Sequence, residues 1–380
     1  MDHLAEKGLL RRLRRIDQHS VTTVRIGNKE LVSFASNDYL GLANHPRIRK
    51  AAQAALSWGT GATGSRLTTG NFALHEQLEE KIAQFKHTES AALFSSGYAA
   101  NVAVIDALVG PGDLILSDRL NHASLIDGCR ISGAAVRVYR HNDWQHAEDL
   151  LDDRSEFRRL LIVTDGVFSM DGDIAPLQQL VRLCDHYNGW LMVDDAHGTG
   201  VYGLNGSGIV NEVGLSTKVA IQMGTLSKAL GVGGAFVAGS AILIEFLRNK
   251  ARSFVYSTAL PPSDVAAAIA AIEIVESEPK LRRQLAENGS LLRDGLKKVA
   301  LDILPGDSPI VPIIVGTAEL AVEFSSMLEE AGYWIPAIRP PSVPDGESRL
   351  RITISAAHTT AQIEGLVQAV KTISTALGIS

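Results

Sequence analysis

The sequence predicts an α/β protein whose large domain holds a mostly parallel seven-stranded sheet covered by helices. Beside it stands a smaller α+β domain built from the C-terminal part and an N-terminal segment. Three observations carry this. Short, uniformly apolar runs alternate with amphipathic stretches, the mark of strands buried on both faces. The distal part mixes strands and helices in a different order. With 46% hydrophobic and 21% charged residues over 380 positions, the chain can bury at least one large core.

Taken in order, residues 1–45 read as an N-terminal helix followed by short strands. In that helix Arg11, Arg12, Arg14 and Arg15 follow Leu9 and Leu10, a solvated charged face or the rim of an active site. VTTVRIG and ELVSFAS are strands separated by the turn signal Asn28-Lys29. Residues 46–270 form the large domain. It opens with an Ala-rich helix from Pro46 to about Trp58. The loop GTGATGSRLTTGN follows, polar and long enough to suggest function. The strands are AALFSS, DLILSD, AAVRVYR, LLIVTDGVF, WLMVDDA, KVAIQMG and GAFVAGS. Between them lie helices such as ALHEQLEEKIAQF, GYAANVAVIDALV, HASLIDGCRIS and PLQQLVRLCDHY. Residues 271–380 form the small domain, with strands near PIVPIIVG and RLRITIS.

Several function classes are excluded at this level. A net charge of −6 gives no electrostatic basis for binding nucleic acid or anionic membranes. Cys129 and Cys184 are too few for a disulfide framework and lack the spacing of a zinc site, so no metal is expected. The N-terminus lacks the apolar run of a signal peptide, and no stretch approaches the roughly 18 apolar residues of a membrane span. A cytoplasmic enzyme is expected.

Ligands of open α/β sheets sit outside the carboxyl ends of the strands, so polar residues there are the first candidates. Ser95-Ser96-Gly97 joins a strand to a helix and can offer backbone N–H groups to a phosphate, although a plain helix cap looks the same. Asp194 and Asp195 close an apolar strand, where a carboxylate is costly unless a cation meets it. His122 and His197 taken singly are compatible with packed core histidines. Gly198, Gly200 and Gly203 match G-x-G-x-x-G, but the glycines run on into LNGSGIV rather than opening a helix, so no dinucleotide site is read there. Lys228 is isolated among small and apolar residues in MGTLSKALGVGGAF. Partial burial there disfavours the ammonium and frees the amine to attack an aldehyde.

Together, SNDYLGL, FSSGY, NHASLIDG, DGVFSMDGD, VDDAHGTGVYG, TLSKALGVGGAF, STALPP and RLRITISAAHT resemble the α-oxoamine synthases, a family of fold-type-I pyridoxal phosphate (PLP) enzymes. The resemblance spans essentially the whole chain in order. It implies PLP bound through Lys228, which also shuttles protons, with Asp194 at the pyridine nitrogen and His122 on the ring face. His197 and Ser169 would bond the phenolic oxygen. Gly97, Tyr98 and Thr225 would hold the phosphate, and Thr258 would reach that of a neighbouring subunit in a homodimer. Arg351 would grip the amino-acid carboxylate, with Asn37 in the substrate pocket and Arg11 on the acyl side. Within the family, GATGSRLTTGN and the chain length are most similar to members that condense L-alanine with pimeloyl-CoA or pimeloyl-acyl-carrier protein, releasing CO2 and thiol. Members using glycine with acetyl-CoA, and more distantly aminotransferases or aldolases, share fold and cofactor.

Overall fold

The protein is described from a computed structural model covering all residues except 1–8, 11, 12, 300, 302 and 380. It divides into two compact units: residues 45–168 with 174–279, and residues 1–44 with 169–173 and 280–380.

The smaller unit opens with β1 (Gln18–His19), β2 (Thr23–Ile26) and β3 (Lys29–Ser33), an antiparallel meander. Arg11 lies outside the described residues, as does most of the expected N-terminal helix. Residues 13–16, which are described, are not helical. Their arginines are engaged elsewhere: Arg14 pairs with Glu329 at 2.9 Å and lies over the Trp334 ring, and Arg15 pairs with Asp17 at 2.7 Å.

The larger unit carries the seven strands, in the places where uniform apolarity puts them. They are β4 (Ser90–Phe94), β5 (Leu114–Asp118), β6 (Ala135–Tyr139), β7 (Leu160–Asp165), β8 (Trp190–Asp194), β9 (Ile221–Thr225) and β10 (Ala235–Gly239). The sheet order is β4-β10-β9-β8-β7-β5-β6, and only β10 runs antiparallel to its neighbours. Alternate residues feed two cores: Ile115, Leu161, Val163 and Met192 on one face, Leu114, Leu116, Ile162 and Val193 on the other. Each such side chain, withdrawn from water, contributes about 1.5–3 kcal/mol. This double burial is why the strands lack a polar face, apart from the edge strand β6, which exposes Val136 and Val138 and carries Arg137.

Helices α1 (Pro46–Ala55), α2 (Ala73–Lys86), α3 (Gly97–Leu108), α4 (Ala123–Ser132) and α5 (Leu177–Tyr187) lie in this unit with α6 (Pro262–Ser277). The sequence-based boundary at residue 270 is corrected here, because it cuts through α6. That helix buries Val265, Ala268, Ala271, Ile272 and Val275 and packs on α1 and α2. A helix buried along so much of its length belongs to one core, and the unit accordingly runs to residue 279.

The small unit continues with α7 (Lys280–Lys297), β11 (Ile310–Gly316), α8 (Ala318–Glu330), β12 (Tyr333–Trp334), β13 (Ala337–Ile338), β14 (Ser348–Thr353) and α9 (Thr360–Leu377). β12 pairs parallel to β3, which joins the N-terminal meander to this unit, and β14 lies between β11 and β13. No helix among the described residues is long and apolar enough to cross a membrane.

Candidate active site

The parallel strands β5, β7, β8 and β9 end in Asp118, Asp165, Asp194 and Thr225, all buried, along one edge of the sheet. Asp165 and Asp194 are register partners on adjacent strands. Burial, and then the neighbouring Asp194 carboxylate, pushes Asp165 well above the usual carboxylate range. Its Oδ2 accepts the His122 backbone N–H at 2.7 Å, which fixes the start of α4.

A single buried amide links two of the expected site residues. Asn101, within α3, donates from Nδ2 to Asp194 Oδ2 at 2.7 Å and to Ser124 Oγ at 2.8 Å. Ser124 Oγ in turn lies 2.7 Å from His122 Nδ1. Asp194 Oδ1 accepts from the Ala196 N–H at 3.0 Å. Among the described residues, then, this buried carboxylate has neutral hydrogen-bond partners and no ion pair. His122 is held below the usual imidazole range, by burial first; the Asp194 charge opposes this and the Lys228 charge adds to it.

Asp195 is different. Lys86, the last residue of α2, reaches its Oδ2 at 2.7 Å with both side chains fully buried, and also bonds the Ser207 carbonyl. The segment after β8 folds around this pair: Ile209 N–H bonds Asp195 Oδ1 at 3.2 Å, and a Cβ at Gly208 (φ +112°) would lie 1.7 Å from Oδ2. Of two adjacent aspartates, Asp195 has its own lysine, and Asp194 has no ion pair among the described residues.

Lys228 lies just beyond β9, half-buried, with Nζ 2.9 Å from Nε2 of the buried His197. An ammonium donating to that nitrogen requires the neutral ring protonated at Nδ1. Thr225 Oγ1 donates to the Gly234 carbonyl at 3.1 Å and lies 2.7 Å from Ser227 Oγ. Ser96 caps α3, its Oγ accepting from the Ala99 N–H at 3.1 Å. Gly97 is the first helical residue, and packing alone does not require glycine there, since an added Cβ meets nothing nearer than Met223 Cε at 3.6 Å. Tyr98 is half exposed and its hydroxyl donates to Asp127. Thr258 is exposed and bridges to Ser65, in the Gly/Thr/Ser loop.

The other expected residues, Asn37, Ser169 and Arg351, meet in the small unit. Arg351 is buried on β14, with Nη1 and Nη2 each 3.2 Å from Asn37 Oδ1, Nη1 also 3.0 Å from Thr353 Oγ1, and Nε donating to the Ser169 carbonyl. All are neutral oxygens, and no carboxylate pairs with Arg351 among the described residues. Such a guanidinium can bind a carboxylate through its planar fork. Asn101, Asp165 and Lys86 were not anticipated. Asn101 and Asp165 left a usable trace, a lone amide in an apolar helix and a carboxylate closing an apolar strand.

These features define the class. The chain belongs to the class I and II aminotransferase family, whose model matches residues 29–370. Within it the chain groups with the 8-amino-7-oxononanoate synthases. That of Citrifermentans bemidjiense is 49% identical, covering 100% of this chain and 98% of the relative. A solved 8-amino-7-oxononanoate synthase from Francisella tularensis superposes with a TM-score of 0.80 at 29% identity, covering 92% of this chain and 99% of that one. A serine palmitoyltransferase from S. paucimobilis, with bound PLP-myriocin aldimine, gives 0.95 at 31% identity, covering 100% and 96%.

Proposed function

We infer that this protein is a PLP-dependent acyltransferase that condenses L-alanine with a pimeloyl thioester, forming 8-amino-7-oxononanoate and releasing CO2 and free thiol. Identity near 49% over the full length favours this acyl chain over that of the structurally similar serine palmitoyltransferase. The finer reading is a cytoplasmic homodimer using pimeloyl-CoA or its carrier-protein ester.

One observation carries the residue assignments: Asp194, a buried carboxylate with neutral partners, ends the strand beside the one leading to Lys228. The residues fit PLP, which needs a carboxylate for its ring nitrogen, an amine for its aldehyde and N–H groups for its phosphate. When bound, PLP supplies the electron-accepting ring on which bond breaking at the amino-acid Cα depends. Asp194 keeps the ring nitrogen protonated, held in place by Asn101. His122, anchored through Ser124 and Asp165, covers the ring face. His197 and Ser169 bond the phenolic oxygen. The start of α3 at Gly97 and Tyr98, with Thr225 and the partner subunit's Thr258, receives the phosphate. Lys228 Nζ holds the cofactor and then moves the proton at Cα, with His197 beside it to share charge. Arg351 and Asn37 take the amino-acid carboxylate, and Arg11, which lies outside the described residues, is assigned to the acyl side from the sequence alone.

The test is thiol release by the holoprotein with alanine, glycine or serine against pimeloyl-, acetyl- and palmitoyl-CoA. The alanine and pimeloyl pair is expected to dominate. Turnover only with glycine and acetyl-CoA, or serine and palmitoyl-CoA, overturns the substrate assignment. Loss of the cofactor's long-wavelength absorbance in Lys228→Ala is expected, and its retention overturns the lysine's role.

A further inference from the structure

Along the edge of the large sheet opposite Asp194 and Thr225 lies a half-open cavity of about 630 Å³. Its floor is where β8 and β9 begin, at Trp190 and Ile221, and where β10 ends, at Gly239. Its volume is within the range of small-molecule sites. The helix that forms one wall, Ala241–Lys250, is apolar on two faces. Ile244 and Leu247 are buried in the core, whereas Ile242 and Phe246, one turn apart, face the cavity at 84% and 41% exposure. Trp190 adds 39% of its surface. A solvated helix has no use for an isoleucine and a phenylalanine in that register.

The charges in the cavity indicate what fills it. Glu89 is occupied at the start of the wall helix, where Oε2 accepts the Ala241 N–H at 2.9 Å. Arg159 is exposed, its guanidinium 5.9 Å from the Trp190 ring centroid, and it donates to the Leu108 carbonyl at 2.9 Å. Its charge also acts on Asp113, but among the described residues no carboxylate lies within ion-pair distance of it. Its neighbour Arg158, by contrast, is taken by Asp113. The groove therefore offers an apolar trough ending at Arg159, a cation outside any ion pair among the described residues.

We propose that this groove binds a linear aliphatic carboxylate, with the chain along Ile242, Phe246 and Trp190 and the carboxylate at Arg159. The site is separate from the catalytic edge of the sheet. Dodecanoate titrated into the holoenzyme, followed by calorimetry, should bind saturably at one molecule per chain, and excess pimeloyl-CoA should not displace it. Arg159→Gln should weaken binding about tenfold or more, and Ile242→Glu should abolish it. Both variants should keep the wild-type thiol-release rate and cofactor absorbance. Displacement by pimeloyl-CoA, indifference to both substitutions, or no saturable binding overturns the proposal. So does a fall in sedimenting mass with Ile242→Glu, which would assign the groove to a second copy of the chain.

Discussion

Arg349 and Arg351 project from the same face of β14, two residues apart and both buried, yet only Arg349 meets carboxylates. Its guanidinium pairs with Asp171 and, at 3.2 Å, with Glu347. Arg351 meets the neutral oxygens of Asn37, Thr353 and Ser169. Arg351→Gln should therefore raise KM for the amino acid about 10- to 100-fold, the worth of a charge-assisted hydrogen bond. Arg351→Lys should not restore it, because a point charge lacks the planar fork. Steady-state kinetics against amino-acid concentration, with the thioester saturating, decide this.

Asp194→Asn keeps the size and removes the charge, and its one amide oxygen can accept from Asn101 or from the Ala196 N–H but not from both. Activity should fall about a hundredfold or more while PLP is still bound, since the loss is electrostatic rather than steric. Absorbance titration with PLP and single-turnover thiol release separate binding from chemistry.

Lys86→Met should act on stability instead. Removing one member of a buried pair leaves Asp195 unpaired, at a cost of about 3–5 kcal/mol. Urea unfolding measures this. The double variant Lys86→Met with Asp195→Leu should recover part of the loss, which a double-mutant cycle would reveal.

Legibility from sequence followed burial chemistry. Six of the seven strands are plain because both faces are covered, whereas Asp194, His122 and Lys228 stand out only as candidates beside apolar runs, and their roles rest on the family resemblance. Lys86 was not legible. It occupies the last turn of an amphipathic helix, where lysines ordinarily meet solvent, and only the fold of the segment after β8 makes it fully buried. For the same reason Asp194 and Asp195 were indistinguishable in one dimension. The residues 169–173 that join the small unit, and the boundary beyond α6, depend on which core each segment completes, and local pattern does not encode that.

His358 predicts a pH effect. Burial lowers its pKa to about 4, although its ring accepts the Ser355 N–H at 2.9 Å and lies 3.0 Å from the Ser33 carbonyl, stacked on Phe34. The unfolded chain takes up this proton near pH 6.5 and the folded one does not. Stability is thus intact above about pH 6.5 and declines towards pH 4, by at most about 3 kcal/mol. His358→Gln should flatten the unfolding free energy across that window. An unchanged slope would assign the acid sensitivity to other groups.

The antiparallel strand of the large sheet, β10, has a consequence for turnover. Because β9 and β10 are ladder neighbours, the segment carrying Lys228 is a closed hairpin, tied by Leu226 N–H to the Gly234 carbonyl at 2.9 Å and by Val232 N–H to the Leu226 carbonyl at 2.8 Å. On the role proposed for Lys228, its amine swings on a tether pinned at both ends. The proposed proton transfers then need only rotation of its four methylenes and release of the His197 contact, with no loop rearrangement between one and the next.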